Sequence, residues 1–103
     1  MDMEERYRLI MSTIFRALGF RVEVERMLAT GRIDMIVEVP SMIYVLELKL
    51  SNNGGISAAE SQIKEKSYTA PFKADKRKII ALAVELDETG KGLIDWKEVD
   101  EGV

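Results

Sequence analysis

The 103-residue sequence contains neither cysteine nor histidine. The absence of cysteine excludes disulfide bonds and thiolate chemistry. The absence of histidine excludes Ser-His-Asp triads, imidazole general bases and most zinc sites. A metal ion in this protein must therefore be bound by oxygen atoms, which favours magnesium, manganese or calcium.

Long apolar runs and an excess of positive charge are also missing. No apolar run approaches the ~20 residues of a membrane-spanning helix. The acidic start of the chain lacks the layout of a secretory signal, so we expect a cytoplasmic protein without membrane contact. The formal net charge is −3, which is not the overall charge of a typical nucleic-acid-binding protein.

Hydrophobic residues make up 47% of the sequence, which is enough for the core of a single domain over residues 1–103. Apolar residues at helical spacing predict a first helix over residues 4–18. Its core-facing stripe is expected to contain Tyr7, Met11, Ile14 and Leu18.

Three strands are predicted next, over residues 20–28, 31–39 and 42–50, and apolar residues on both faces make the third strand central. A second helix is expected from a cap at Ser57 to about Thr69, because Glu60 completes a capping box and Pro71 follows. A buried strand over residues 79–84 and an edge strand over residues 94–99 complete an α/β fold with the order αβββαβ and one further strand.

Three charged residues, Asp34, Glu47 and Lys49, lie in the second and third predicted strands. Only Pro40 and Ser41 separate these strands. If they form the loop, the numbers of paired residues add up to 81 and Asp34 lies opposite Glu47. Facing carboxylates repel each other, so we interpret this pair as a site for a divalent cation. A three-residue loop would instead place the two acids on different faces.

This arrangement is suited to phosphodiester hydrolysis. The main-chain carbonyl of Leu48 and water molecules could complete the octahedral shell that magnesium prefers. A metal ion polarises a phosphoryl oxygen and acidifies a bound water, while Lys49 could orient that water or stabilise negative charge. The alternative is a solvated strand face with a cross-strand ion pair, and Asp34 argues against it because Asp is disfavoured in strands.

The two helices offer accessory residues. Gln62 and Lys66 share a stripe of the second helix with apolar residues. Either both face the same cleft as the acids, or Lys66 snorkels at the edge of the stripe and Gln62 only borders it. Tyr68 follows at the helix end, where boundary packing is the other interpretation. In the first helix, Glu5 or its neighbour Glu4 could add an acid, although acids in a first turn also favour the helix dipole.

Three sequence segments resemble the PD-(D/E)XK nuclease superfamily: Gly31-Arg-Ile-Asp34, Glu47-Leu-Lys49 and Gln62-Ile-Lys-Glu-Lys66, the last followed by Tyr68. The chain is most similar to the nuclease-like domain at the C-terminus of bacterial and archaeal proteins that carry an AAA-type ATPase domain ahead of it. The resemblance implies a restriction-endonuclease-like core, with a mixed central sheet flanked by helices.

The resemblance also implies magnesium- or manganese-dependent hydrolysis of nucleic acid, with DNA as the expected partner. Asp34 and Glu47 would be metal ligands, Lys49 would position or activate the water, and Gln62 would be an accessory residue. Lys66 and Tyr68 match the pattern without a defined role. An ATPase domain or subunit is a further expected partner, and a homodimer would place two sites on opposite DNA strands.

Three hypotheses follow from the sequence. The first is a metal-dependent DNA nuclease. The second is a catalytically inactive nuclease-fold module that serves an ATPase or a partner subunit, which the acidic net charge favours. The third is an α/β domain in which the charged residues form a surface ion pair.

Overall fold

The computed structural model describes residues 1–100. Two helices and five strands follow one another in the order predicted from the sequence: α1 (Met3–Ala17), β1 (Arg21–Leu28), β2 (Gly31–Glu38), β3 (Met42–Leu50), α2 (Gly55–Lys66), β4 (Lys78–Leu86) and β5 (Leu93–Val99). Short 3-10 turns lie at Ser51–Asn53 and Ala70–Phe72. The αβββαβ order with an extra edge strand is therefore confirmed.

The five strands form one mixed sheet in the order β1-β2-β3-β4-β5. Only β3 and β4 are parallel, and the other neighbours are antiparallel. A parallel pair needs a crossover connection, which α2 provides. Helix α2 packs against β3, β4 and β5, whereas α1 packs against β1, β2 and β3. The expected central position of β3 is correct.

The β2–β3 hairpin has the register expected from the sequence. Its ladder runs from the pair Glu38–Ile43 to the pair Met35–Leu46, so the numbers of paired residues add up to 81. The Val39 amide donates to the Met42 carbonyl at 3.0 Å and closes the hairpin. The next rung in this register would join Asp34 to Glu47.

Helix α1 begins with a reciprocal capping box. The Glu5 amide donates to the Asp2 carboxylate at 2.8 Å, and the Asp2 amide donates to the Glu5 carboxylate at 3.2 Å. The predicted core stripe is only half right, because Ile14 and Leu18 are 52% and 65% exposed. The helix instead turns Arg8 and Ser12 toward the sheet and leaves this apolar flank uncovered.

Helix α2 begins and ends earlier than the sequence suggests. Its first residue is Gly55, so the predicted cap Ser57 lies inside the first turn. The cap comes from β4, where the Glu85 carboxylate accepts the Ile56 amide at 2.9 Å. At the other end Ser67 has φ 49°, which stops the helix before the predicted Thr69. A contact distant in sequence therefore overrides the local cap.

The β1–β2 ribbon changes faces at one rung, between Glu25 and Asp34. On one side of this rung, Val24 and Met35 pack with the core beneath α1. On the other side, Ile33 packs with the core beneath α2, and so does Leu28 further along β1. Glu25 has φ 56°, a strained conformation for a residue with a side chain. Strict alternation would have kept residues 33 and 35 on one face.

No helix formed by residues 1–100 is long and apolar enough to cross a membrane.

Candidate active site

Asp34 and Glu47 meet where β2 and β3 separate. Beyond the pair Met35–Leu46, the Asp34 carboxylate takes the place of a main-chain acceptor: its Oδ2 accepts the Leu48 amide at 2.9 Å. Within a strand the N–H and C=O of one residue point toward the same neighbouring strand. The Leu48 carbonyl therefore points into the opening beside Asp34, on the side of Glu47.

The two carboxyl groups are buried together. Asp34 and Glu47 are each only 2% exposed. Burial raises the pKa of Glu47 to about 9, and the charge of Asp34 and the hydrogen bond between the two carboxyl groups add to this effect. The Oε2 atom of Glu47 is buried without a hydrogen-bond partner. A buried acid with an unpaired oxygen is costly unless a proton or a cation compensates it.

The carboxyl pair opens into a cavity of 420 Å³ whose walls come from α1, the β1–β2 hairpin, β3 and α2. Lys49 lies two residues after Glu47 on the same strand and is half-buried at the cavity wall. Gln62 contributes the α2 wall. The structure thus brings together Asp34, Glu47, Lys49 and Gln62, as the sequence had suggested.

Tyr68 lies behind this wall and is fully buried. Its hydroxyl donates to the Arg32 carbonyl at 2.7 Å and accepts the Gln62 side-chain amide at 2.9 Å. Burial raises the pKa of Tyr68 to about 12, with smaller contributions from the charges of Glu47 and Asp34. Tyr68 therefore holds Gln62 and the β2 main chain in place and does not line the cavity.

Two of the predicted accessory residues, Glu5 and Lys66, do not line the cavity. The carboxylate of Glu5 closes the α1 capping box, whereas Glu4 lines the cavity. Burial raises the pKa of Glu4, and the charge of Asp34 raises it further. Lys66 lies at the rim: its main-chain carbonyl accepts the Thr30 hydroxyl at 2.9 Å, and its side chain runs past Gly31.

Two arginines, Arg8 and Arg32, were not predicted as site residues but belong to the surroundings of the cavity. Arg32 lines the cavity, and its Nη2 is 3.6 Å from Asp34 Oδ1. Glu25 lies 3.9 Å from the Arg32 guanidinium and 2.5 Å from that of the buried Arg8. The Gly-Arg-Ile-Asp segment contained a signal for Arg32, since under regular alternation a cation two residues before an acid in a strand shares its face.

Comparison with known proteins agrees with this geometry. A family model of the PD-(D/E)XK nuclease superfamily matches residues 2–96. The chain belongs to the PD-(D/E)XK nuclease superfamily. Its five-stranded mixed sheet with a helix on each face has the restriction-endonuclease-like architecture of that superfamily.

One curated relative is an uncharacterized protein in the vnfD 5′ region of Azotobacter chroococcum mcd 1. It is 30% identical over 90 residues, which represent 87% of this chain and 17% of the relative. The chain therefore spans less than a fifth of the length of this relative. No solved structure matches the chain significantly.

PD-(D/E)XK nucleases generally use divalent metal ions, and the residues of this site fit one. The donors are carboxylate and carbonyl oxygens, which suit hard cations, and Glu47 Oε2 is buried without a hydrogen-bond partner. Among residues 1–100, no group of three or more acidic side chains is arranged to hold a metal ion. The Leu48 carbonyl and water molecules would therefore have to supply the remaining ligands.

A larger cleft of 580 Å³ lies elsewhere, between α2 and the end of β5. Its buried lining residues, Ala81 and Val99, are apolar. Size alone would make this cleft the first choice for a site, but the two buried carboxyl groups, Asp34 and Glu47, line the smaller cavity. The chemistry of the lining residues therefore decides between the two.

Proposed function

We propose that this protein is a metal-dependent nuclease that hydrolyses phosphodiester bonds of DNA. The observation that carries the proposal is the buried pair Asp34 and Glu47 beside Lys49, with one carboxylate oxygen left unpaired. A structural ion pair would be satisfied within the protein, whereas this pair has two acids in contact. Membership of a nuclease superfamily agrees with this function.

Each residue of the cavity has a role in the proposed reaction. Asp34, Glu47 and the Leu48 carbonyl would hold Mg²⁺ or Mn²⁺, which when bound supplies Lewis acidity to a phosphoryl oxygen and acidifies a water. Lys49 would hold the attacking water or stabilise negative charge on the phosphoryl group. Gln62, fixed by Tyr68, would orient the water through its amide.

The test is cleavage of supercoiled plasmid DNA in the presence of Mg²⁺ or Mn²⁺. We expect the wild-type protein to nick the plasmid and Lys49→Ala to lose this activity while keeping its circular dichroism spectrum. Lys91→Ala is the matched control, because Lys91 is exposed in the turn between β4 and β5. Equal residual cleavage by wild type and Lys49→Ala would identify a contaminating nuclease and refute the proposal.

The second candidate function is an inactive nuclease-fold module that serves an ATPase domain or a partner subunit. The net charge of −3 favours it, and the relative is long enough to contain further domains. Calorimetric titration with Mn²⁺ separates the two functions. Binding that Asp34→Asn abolishes supports the nuclease, whereas no binding at millimolar Mn²⁺ supports the module.

Two partner proposals follow from the nuclease function. An ATPase domain or subunit could deliver DNA to the site, because a domain with this net charge has little general affinity for DNA. A homodimer would supply the two sites needed to cut both strands at once. Sedimentation with and without DNA tests the dimer.

A further inference from the structure

Arg32 is the cation of the cavity to which the proposed function gives no role. Its guanidinium lies 3.6 Å from the carboxylate of the buried Asp34 and extends toward solvent. The Arg32 side chain is 43% exposed. It stands opposite Met27 across the β1–β2 ladder, at the cavity mouth. An anionic group that enters the cavity therefore meets Arg32 as well as Lys49.

Arg32 is supported by Glu25, a residue with a strained backbone conformation. Glu25 lies 3.9 Å from the Arg32 guanidinium and is paired with the buried Arg8 at 2.5 Å. Glu25 reaches this position with φ 56° in the middle of a strand, a strained conformation for a residue with a side chain. An exposed arginine with only a surface role would not need such a support.

We propose that Arg32 contacts the phosphoryl group undergoing cleavage and that Glu25 and Arg8 position it. The inference rests on the proposed nuclease function. With a cation at the acids, Asp34 no longer needs Arg32 as its partner, and the guanidinium can pair with the phosphate of the substrate. Its planar fork of donors matches two phosphoryl oxygens at once, which a lysine cannot do.

The role of Arg32 follows from the charge changes of hydrolysis. The water gives up a proton to solvent as its oxygen forms a bond to phosphorus, the bond from phosphorus to the leaving oxygen breaks with its electron pair, and the leaving oxygen takes up a proton from solvent. Negative charge on the non-bridging oxygens is greatest between these events. Arg32 donates hydrogen bonds to those oxygens and lowers the barrier, as fixed donors do in other sites of this kind.

Binding of a fluorescent DNA duplex in Mg²⁺ tests the contact without relying on cleavage. Lys49→Ala is the parent in this experiment, so that the DNA stays intact. Adding Arg32→Ala should reduce the slope of log K against log salt by about 0.9, the contribution of one phosphate contact, whereas Arg32→Lys should keep the slope. Arg21→Ala is the matched control, since Arg21 is on the neighbouring strand β1 and its side chain is 85% exposed. An unchanged slope in Arg32→Ala would overturn the inference.

Single-turnover cleavage and metal titration complete the test. Arg32→Lys should cleave about 10²-fold more slowly than wild type, because one bidentate contact is lost. Arg32→Ala should bind Mn²⁺ at least as tightly as wild type, since a competing cation is gone. Weaker Mn²⁺ binding would instead make Arg32 part of the metal site.

If wild type cleaves and Arg32→Ala cleaves equally well, only the role of Arg32 is refuted. If wild type fails to cleave, the nuclease proposal fails and the salt slope still decides the contact.

The positioning role of Glu25 has its own readout. Glu25→Gln should slow cleavage in the wild-type background and have no further effect in the Arg32→Ala background, because its influence passes through Arg32. Equal losses in both backgrounds would show that Glu25 acts only on stability.

Discussion

Among the single residues that the structure describes, Glu47 has the pKa that its surroundings shift most strongly. Its pKa of about 9 in the folded protein, against 4.5 as the ordinary value, means that the metal-free protein takes up a proton there at neutral pH. The neighbouring Asp34 carboxyl accepts the Leu48 amide, at 2.9 Å. One proton therefore compensates the buried carboxyl pair in the metal-free protein, as the cation of the proposed function would.

This pKa predicts how the stability of the metal-free protein depends on pH. A raised folded-state pKa contributes stability that is fully present below pH 4.5 and is lost as the pH rises toward 9. Urea unfolding in EDTA should therefore give a free energy of unfolding that falls between pH 5 and pH 9. The carboxylates with lowered pKa values, including Asp75 at about 2, act only at lower pH and do not obscure this trend.

Asp34→Asn is the matched variant for this titration. It keeps an oxygen for the Leu48 amide but removes the neighbouring charge that raises the pKa of Glu47. Relative to wild type, the variant should gain stability as the pH rises from 5 to 9. A pH profile parallel to that of wild type would show that burial alone raises the pKa of Glu47.

Tyr68 allows a prediction about the hydrogen bonds that hold Gln62 and the β2 main chain in place. Tyr68→Phe removes the hydroxyl that donates to the Arg32 carbonyl and accepts from Gln62. Leaving a buried carbonyl unpaired costs about 1–3 kcal/mol, so the free energy of unfolding should fall by that amount in urea titrations. A loss well below 1 kcal/mol would mean that water replaces the hydroxyl.

Among the elements, α2 depends on a glycine and a distant carboxylate. Gly55 has φ 57°, and a Cβ there would overlap Glu85 Oε1, the acceptor of the Ile56 amide. Gly55→Ala should therefore destabilise the protein by about 2–3 kcal/mol, from backbone strain and the lost cap together. Gly19→Ala is the control, since Gly19 has φ 92° with open space around it and should cost only about 1 kcal/mol. Equal losses in thermal or urea unfolding would contradict the role of Glu85.

The sequence predicted the elements well wherever alternation or helical spacing was regular. The strands, the sheet centre at β3 and the hairpin register followed from apolar spacing and a two-residue loop. It did not predict the orientation of α1, because the burial of Arg8 depends on Glu25, which lies on another element. It also missed the change of faces at Asp34, since a backbone with φ 56° at Glu25 has no local signal.

The residues of the candidate site were likewise predictable from the sequence only in part. The sequence predicts Asp34, Glu47, Lys49 and Gln62 as site residues because each stands out against an apolar pattern, and the structure brings them to one cavity. Glu4 could not be separated from Glu5 without knowing which of them caps the helix. Arg32 resembled an ordinary exposed residue, and only its distances to Asp34 and Glu25 reveal its position.

For the whole molecule, the site lies where the sheet is least regular. Strands β2 and β3 separate beyond the pair Met35–Leu46, and the β1–β2 ribbon changes faces at the same level. This irregularity lets side chains from both helices reach one cavity, with Glu4 from α1 and Gln62 from α2. A flat, fully paired sheet would have kept the two helix layers apart.

The net charge of −3 predicts that a divalent metal controls DNA binding by the whole molecule. If DNA binds at the cavity as proposed, the negative charge that remains on the cavity acids without metal would oppose binding of the phosphates. A bound Mn²⁺ would neutralise this charge, and in Lys49→Ala protein Arg32 would remain as the cation of the lining. Fluorescence anisotropy with a labelled duplex and Lys49→Ala protein should show at least about tenfold tighter binding in Mn²⁺ than in EDTA, a change of about 1.4 kcal/mol. Adding Asp34→Asn should reduce this difference, because the metal is bound less tightly. Equal affinity in Mn²⁺ and EDTA would place the DNA-binding surface away from the acids.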